Sequence, residues 1–186
     1  MKWACAGAGA LLIFIGCFLL LRSRQRYSAP SLVVVSECKA PAPETTRVGN
    51  TLGVKFDFAT TDFTVSEGTT DTVPVVHGFR LRLRNGVSVM DISFGRHPMQ
   101  TMATDPALTF SKHVEKRPVR DGSGHTLGED YWGYLNTGER WREARFFRGG
   151  IIARYGFANE KDAALFDQVI RSACQPSVIG EKSPSH

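Results

Sequence analysis

The sequence lacks the short motifs that usually identify a catalytic or metal-binding protein. Five histidines and four cysteines occur, but none of them forms an HExxH, HxH or CxxC pattern, the patterns typical of metalloproteases and structural zinc sites. No GxGxxG or Walker sequence is present to hold a phosphate, and no GxSxG presents a nucleophilic serine. We therefore expect no catalytic residues, no bound metal and no cofactor.

Acidic residues are missing from the first 36 positions, where several basic ones collect. Lys2 and the three arginines of residues 22–26 flank an uncharged stretch, and the first acidic residue is Glu37. Without these four basic residues, the formal net charge of +5 falls to +1 for residues 27–186. A nearly neutral domain has no broad cationic surface for nucleic acid. The three arginines are instead placed to meet anionic lipid head groups.

Residues 3–21 form an apolar run of 19 residues without a charge. As a helix this run would be about 28 Å long, close to the ~30 Å hydrocarbon thickness of a bilayer. The apolar part of a cleaved signal peptide is usually shorter, and residues 27–29 make a poor cleavage site. The run predicts an uncleaved membrane anchor, with a cleaved signal as the alternative. Gly16-Cys17 resembles a lipoprotein cleavage site, but apolar residues continue beyond it.

Beyond the anchor there are two cysteines, Cys38 and Cys174, near the two ends of the remaining chain. This placement predicts a disulfide, which would stabilise the fold by up to about 5 kcal/mol in the loop-entropy model. Two unpaired thiols are the alternative. A disulfide implies an extracytoplasmic domain, whereas the arginines after the anchor favour a cytoplasmic one. We follow the cysteines and predict a membrane-anchored extracytoplasmic domain, which would be periplasmic or secreted if the signal is cleaved.

These features divide the chain into four parts. They are a signal anchor over 1–21, a juxtamembrane stalk over 22–37, a single domain over 38–176 and a disordered tail over 177–186. The third part has the length of one ordinary domain with its own hydrophobic core.

A β-hairpin is predicted around Asn85-Gly86, which lies between the alternating stretches Val75–Arg84 and Val87–Phe94. Asn-Gly favours a two-residue type I′ turn, in which both residues have positive φ. The resulting register pairs Arg82 with Val89, Leu81 with Met90, Arg80 with Asp91 and Phe79 with Ile92. One face is then apolar and the other carries arginines, so a slip by one residue would bury charge.

Further alternating stretches predict strands at Val54–Phe58, Tyr131–Leu135, Arg140–Arg148 and Ile151–Phe157. The last three follow one another through short turns, which predicts an antiparallel meander. Asp105-Pro106 is typical of a helix start, and the rest of residues 96–128 gives no clear pattern.

The last predicted element is a helix with Asn159 as its N-cap and acidic residues in its first turn. Its apolar residues recur at helical spacing: Ala163, Phe166, Val169, Ile170 and Ala173. This stripe would cover one face of the sheet. The fold class is therefore α+β, with an antiparallel sheet packed against a C-terminal helix.

Two groups of residues are candidates for binding a partner. They are the cationic row Arg80, Arg82 and Arg84, and the aromatic and charged group Trp132, Arg140 and Trp141. A row of guanidinium groups suits carboxylate or phosphate ligands, and an exposed tryptophan beside arginine is typical of binding hot spots. The alternatives are a solvated sheet face for the row and core packing for the tryptophans.

A catalytic alternative depends on Ser123, His125, Glu129 and Asp130, of which the first two lie in the sequence Asp-Gly-Ser-Gly-His. Serine beside a base is a possible nucleophile, although this sequence is more typical of a turn. We expect a non-enzymatic, membrane-anchored extracytoplasmic domain that binds a protein or an anionic ligand of the cell envelope. An envelope hydrolase or metal-dependent enzyme, and a cytoplasm-facing anchored domain, are the alternatives.

Overall fold

The computed structural model describes residues 28–49, 53–69, 77–95, 111–135 and 137–176, without the side chains of residues 68, 69, 77 and 111–113. The predicted anchor, the C-terminal tail and the helix predicted at Asp105-Pro106 lie outside the described residues. Within the described ranges, no helix is both long and apolar enough to cross a membrane.

The described chain is mostly β-structure and ends in one helix. The strands are β1 (Val33–Val34), β2 (Thr45–Gly49), β3 (Lys55–Ala59), β4 (Phe63–Thr69), β5 (His77–Leu83), β6 (Val89–Phe94), β7 (Ser111–Asp121), β8 (Thr126–Leu135), β9 (Arg140–Phe146) and β10 (Ile151–Ala158). The helix, α1, comprises Glu160–Arg171.

Eight of these strands form one large sheet in the order β1-β7-β8-β9-β10-β6-β5-β4, and β2 pairs with β3 in a second sheet. Only β1 and β7 run parallel among these pairs; all the others are antiparallel. The antiparallel, sheet-rich fold with a C-terminal helix is thus confirmed. Strand β7 lies in the stretch whose sequence gave no clear pattern, because Pro118 and several charged residues interrupt its alternation.

The register predicted for the β5–β6 hairpin is confirmed, with Arg82 opposite Val89 and Leu81 opposite Met90. The predicted turn type is wrong, since neither Asn85 nor Gly86 has a positive φ. Instead, the Gly86 N–H donates to the Leu83 carbonyl at 3.3 Å and closes a turn with ordinary backbone angles. The cross-strand burial of apolar residues therefore decides the register without the special turn.

Helix α1 begins as predicted, with the Asn159 side chain accepting a hydrogen bond from the Asp162 N–H at 2.9 Å. All five residues of the predicted apolar stripe are buried. The helix packs on β3, β9 and β10, so that it lies against one face of the large sheet, hereafter the helix face. The opposite face of that sheet is hereafter the outer face.

The segment predicted as a stalk differs in the structure from residue 28 onward. Ala29, Leu32 and Val34 are buried, and β1 pairs with β7 at the edge of the large sheet. Leu32 and Val34 are two positions apart and so face the same side of the strand, where both pack into the core. The folded part therefore begins about ten residues earlier than the boundary at Cys38 predicted from the sequence.

The predicted disulfide is confirmed: Cys38 and Cys174 are bonded, with their Cα atoms 5.1 Å apart. Cys174 also joins the two sheets, because its N–H and carbonyl exchange hydrogen bonds with Lys55 of β3. On its other side, Val35 donates to the Ala173 carbonyl and accepts from the Gln175 N–H. The chain just after α1 thus links the first strand to the second sheet, and the disulfide fastens this junction.

Candidate functional site

A cluster of ions lies buried on the helix face of the large sheet. Arg142 of β9 is fully buried and binds Asp130 of β8 through two hydrogen bonds of 2.9 Å. Its third nitrogen donates to Asp167 of α1 at 2.9 Å. Tyr155 of β10 donates its hydroxyl proton to the same Asp167 oxygen at 2.9 Å. Three strands and the helix therefore meet at one arginine.

Arg117 of β7 completes this cluster from the edge of the sheet. Its guanidinium donates to Asp130 at 2.8 and 3.0 Å and to the Ala29 carbonyl at 2.8 Å. The Pro30 carbonyl accepts from both Arg117 and Arg142. We refer to Arg117, Asp130, Arg142, Tyr155 and Asp167 as the buried ionic cluster. It holds the chain just before β1 against the sheet.

The charges of the buried ionic cluster balance, with two arginines facing two aspartates. Burial alone lowers the pKa of Arg142, but the hydrogen bonds and negative charges of Asp130 and Asp167 outweigh it and raise that pKa. Arg142 therefore remains a cation at any pH at which the protein is folded. A guanidinium held in this way cannot act as a general base, so the cluster is suited to structural support and not to proton transfer.

Trp132 borders the cluster and does not form the exposed anchor that was one interpretation of the sequence. Its indole ring is buried and lies under the Arg117 guanidinium, with 4.4 Å between the guanidinium carbon and the ring centre. The indole N–H is buried without a hydrogen-bond partner. Trp141 is buried too, on the outer face beside Leu135 and Tyr131. Both tryptophans thus follow the core-packing alternative.

The outer face carries a single row of polar side chains across seven strands. Strand pairing aligns these residues one after another: Lys116, Tyr131, Glu143, Arg154, Asp91, Arg80 and Ser66. Positive and negative charges alternate along most of this outer row, and Arg80 binds Asp91 at 2.7 Å. Cross-strand neighbours of opposite sign stabilise a sheet, which makes the row a structural feature of this face.

The predicted binding arginines therefore differ in their surroundings. Arg80 pairs with Asp91, and Arg84 donates to the Thr60 carbonyl at 3.0 Å. Arg140 donates to Glu160 of the helix at 2.9 Å. Arg82 lies exposed between Arg80 and Arg84 on β5. Arg80 and Arg82 thus share a face of β5 and Arg84 follows that strand, and two of the three arginines already hold acceptors of their own chain.

The turn between β7 and β8 brings Ser123 and His125 together with Asp121. The Ser123 hydroxyl donates to Asp121 Oδ1 at 2.7 Å and lies 2.8 Å from His125 Nδ1. His125 Nδ1 also lies 3.3 Å from Asp121 Oδ2. In a hydrolytic triad, serine and aspartate bind opposite nitrogens of the histidine. Here both approach Nδ1, and the single hydroxyl proton of Ser123 is directed at Asp121.

Asp121 is a turn-forming residue with an unusual acidity. The Ser123 hydroxyl, together with the N–H groups of His125 and Ser123, lowers the pKa of the Asp121 carboxyl to about 2. An aspartate that accepts hydrogen bonds from residues two and four positions later is typical of an Asx-type turn. The exposed site stabilises its own loop, and its charge remains in place at all ordinary pH values.

The other two residues of the catalytic alternative do not join that turn. Glu129 and Asp130 are successive residues of β8, so they point to opposite faces of the sheet. Glu129 binds Lys116 on the outer face at 2.5 Å, whereas Asp130 belongs to the buried ionic cluster. In the described part of the chain, no three histidine, cysteine or acidic residues are grouped so that they could hold a metal.

Of the buried ionic cluster, only Asp130 was among the residues predicted from the sequence. A signal was present: Asp167 lies within the apolar stripe of α1, next to Phe166 and three residues before Ile170. A charged residue on a buried helix face needs a partner of opposite charge. The partner could not be found from one sequence, because Arg142 looks like any other arginine of an alternating strand.

Comparison with known proteins adds no assignment to this geometry: no protein-family model, no curated protein and no solved structure matches this chain.

Proposed function

We propose that this chain is a membrane-tethered extracytoplasmic domain that binds a partner of the cell envelope and has no catalytic activity. The observation that carries the proposal is the way in which the domain holds the chain after its apolar run. The carbonyls of Ala29 and Pro30 are bound by the half-buried Arg117 and the buried Arg142, whose charges are balanced within the cluster. A rigid attachment at this point suits a domain that is held in place by a tether.

The Cys38–Cys174 disulfide supports the extracytoplasmic side of the proposal. Disulfides persist in oxidising compartments and are rare in the cytosol. This bond fastens the junction between the two sheets and the end of the helix. Loss of this disulfide would therefore destabilise the domain as a whole.

Thiol mapping on protein in its native membrane tests the compartment. We expect Cys38 and Cys174 to react with an alkylating reagent only after reduction. A Phe147→Cys variant, which places a thiol at an exposed position in a turn, should react from outside with a membrane-impermeant maleimide. Two cysteines that react without reduction, together with a protected Cys at position 147, would favour the cytoplasm-facing alternative.

A hydrolase remains the second candidate because Ser123 and His125 lie within hydrogen-bond distance of each other. A fluorophosphonate probe reports an activated serine directly. We expect the full chain to incorporate no more probe than its Ser123→Ala variant, because the Ser123 hydroxyl is bound to Asp121. Labelling that disappears in the variant would replace the binding proposal with the hydrolase.

A further inference from the structure

The direction of β1 shows from which end of the large sheet the chain enters the domain. Strand β1 runs parallel to β7, with Val33 opposite Arg120. Just before it, the Ala29 carbonyl binds Arg117, three residues earlier on β7. From residue 29 to β1 the chain therefore runs alongside β7 and away from the end of the sheet at which β7 begins, hereafter the entry end; Ala29 meets Arg117 six residues after the start of β7.

Strand pairing assigns the other segments of the entry end. Because neighbouring strands alternate in direction, β8 and β10 finish there and β9 and β6 start there. The entry end consequently includes the β5–β6 turn with Val87, and Phe157, which precedes the N-cap of α1. The opposite end, hereafter the far end, includes the β7–β8 turn with Asp121 and the β9–β10 turn with Phe147.

Two apolar side chains of the entry end are exposed to solvent. Val87 is 88% exposed and Phe157 is 56% exposed. Phe157 also has a φ of 52°, in the left-handed region that disfavours residues with a Cβ. A strained backbone with a large exposed ring indicates a function for the ring, because glycine or asparagine would suit this backbone better. At this end Arg140 pairs with Glu160, and Asp162 accepts a hydrogen bond from Ser88, the residue after Val87.

The chain before the domain limits how far the entry end can lie from a bilayer. Residues 22–29, between the apolar run and the first buried residue, extend to about 29 Å at most. The polar interface of a bilayer takes up roughly 5–7 Å of that reach on each side. A short connection of this kind keeps the entry end at a high local concentration near the lipid.

We propose that the entry end rests on the surface of the bilayer that holds residues 3–21, with Val87 and Phe157 as its apolar contacts. This inference rests on the proposed function, since it requires the tether. Side chains such as phenylalanine and valine enter the interface between head groups and acyl chains. The far end, with Phe147 and the ionised Asp121, then faces away from the membrane.

Position-specific lipid quenching tests this orientation with the full chain. Cys5→Ser and Cys17→Ser leave the Cys38–Cys174 bond as the only native cysteine pair, and single cysteines then replace Val87, Phe157 or Phe147. Each variant carries the fluorophore NBD and is reconstituted in phosphatidylcholine–phosphatidylglycerol vesicles containing a head-group nitroxide lipid. We expect several-fold stronger quenching at positions 87 and 157 than at position 147. Position 147 is the matched control, since Phe147 is as exposed as Phe157.

Flotation of the same vesicles distinguishes failure of the membrane tether from failure of the proposed orientation. Protein that floats but shows equal quenching at all three positions, or more at position 147, overturns the membrane-facing entry end and leaves the tether intact. Protein that fails to float overturns the tether and the orientation together.

A Phe157→Gly variant adds a readout that does not depend on labelling this position. Glycine adopts a positive φ without the strain that phenylalanine has there, so we expect the variant to melt at a higher temperature than the parent. On vesicles, quenching of the fluorophore at position 87 should fall, because one of the two contacts is lost. A higher melting temperature with unchanged quenching at position 87 would remove Phe157 from the lipid contact and overturn this part of the proposal.

Discussion

The Arg142–Asp130 pair of the buried ionic cluster and the Arg80–Asp91 pair of the outer row are the same kind of ion pair in opposite surroundings. Arg142 and Arg80 each bind an aspartate of the neighbouring strand through two hydrogen bonds. Arg142 and Asp130 have no solvent exposure, whereas the Arg80 side chain is 48% exposed. An ion that has lost its hydration depends fully on its partner, while an exposed ion can exchange its partner for water. Similar geometry therefore predicts very different consequences of mutation.

The largest effect is expected from Arg142→Met, which removes the cation of the buried cluster. Asp130 keeps Arg117, but the site is left with two buried carboxylates and one arginine. Loss of one partner from a buried pair costs about 3–5 kcal/mol, a large part of the roughly 5–15 kcal/mol that stabilises a domain. Urea unfolding with the disulfide intact measures this free energy. A cost below about 1 kcal/mol would contradict the assigned role of Arg142.

A smaller effect is expected from Tyr155→Phe within the same cluster. The substitution keeps the aromatic ring that stacks on Phe166, with 5.3 Å between the ring centres. It removes only the hydroxyl that donates to Asp167. A hydrogen bond to a charged group contributes about 1.5–3 kcal/mol, so we expect a loss in this range by urea unfolding. An unchanged midpoint would mean that water or another donor replaces the hydroxyl.

Arg80→Met is the matched test on the outer row. Its partner Asp91 remains able to bind water, since its side chain is 20% exposed. Exposed pairs contribute about 0–1 kcal/mol, and the unfolding free energy should change by no more than this. A cost as large as that of Arg142→Met would show that the outer face is as dependent on its charges as the helix face.

The smallest effect is expected at the β7–β8 turn, where Ser123→Ala removes the main hydrogen bond to Asp121. We expect the pKa of Asp121 to rise from about 2 toward its ordinary value, measured by carboxyl ¹³C NMR during an acid titration. The pKa of Asp121 is lower in the folded protein than in the unfolded chain. The ionised Asp121 carboxylate therefore stabilises the fold fully above its ordinary pKa, and this stabilisation is lost as pH falls through about 2. An unchanged pKa would mean that the backbone N–H groups suffice.

Much of the local structure followed from patterns within short stretches of sequence. The register of the β5–β6 hairpin was predictable because one slip would bury arginines, and the N-cap at Asn159 because its side chain bonds a neighbour. Both depend on residues within a few positions of one another. The positive φ expected at Asn85-Gly86 was wrong because a different hydrogen-bonded turn serves the same register.

The candidate site was far less predictable. Trp132 and Trp141 could be anchors or core residues because alternation shows that a strand has two faces without showing which one is covered. Strand β9 contains three charged residues and therefore looks like a surface strand in the sequence. In the structure it lies inside the large sheet and is buried on both faces at Trp141, Arg142, Glu143 and Ala144. The role of residues 28–36 was hidden for a similar reason, since a two-residue strand such as β1 leaves too short a pattern.

The charge balance of the domain, the hairpin register and the apolar stripe of α1 could be derived from the amino-acid sequence, which also favoured a disulfide between Cys38 and Cys174. These follow from composition, from pairing of few possible partners and from periodicity. The meeting of Arg117, Asp130, Arg142 and Asp167 is visible only in the folded chain, as are the hydrogen bonds from the two arginines to the carbonyls of residues 29 and 30. The physical reason is that buried charges find their partners through the packing of distant strands and a helix, and a single sequence carries no record of which distant residues are neighbours.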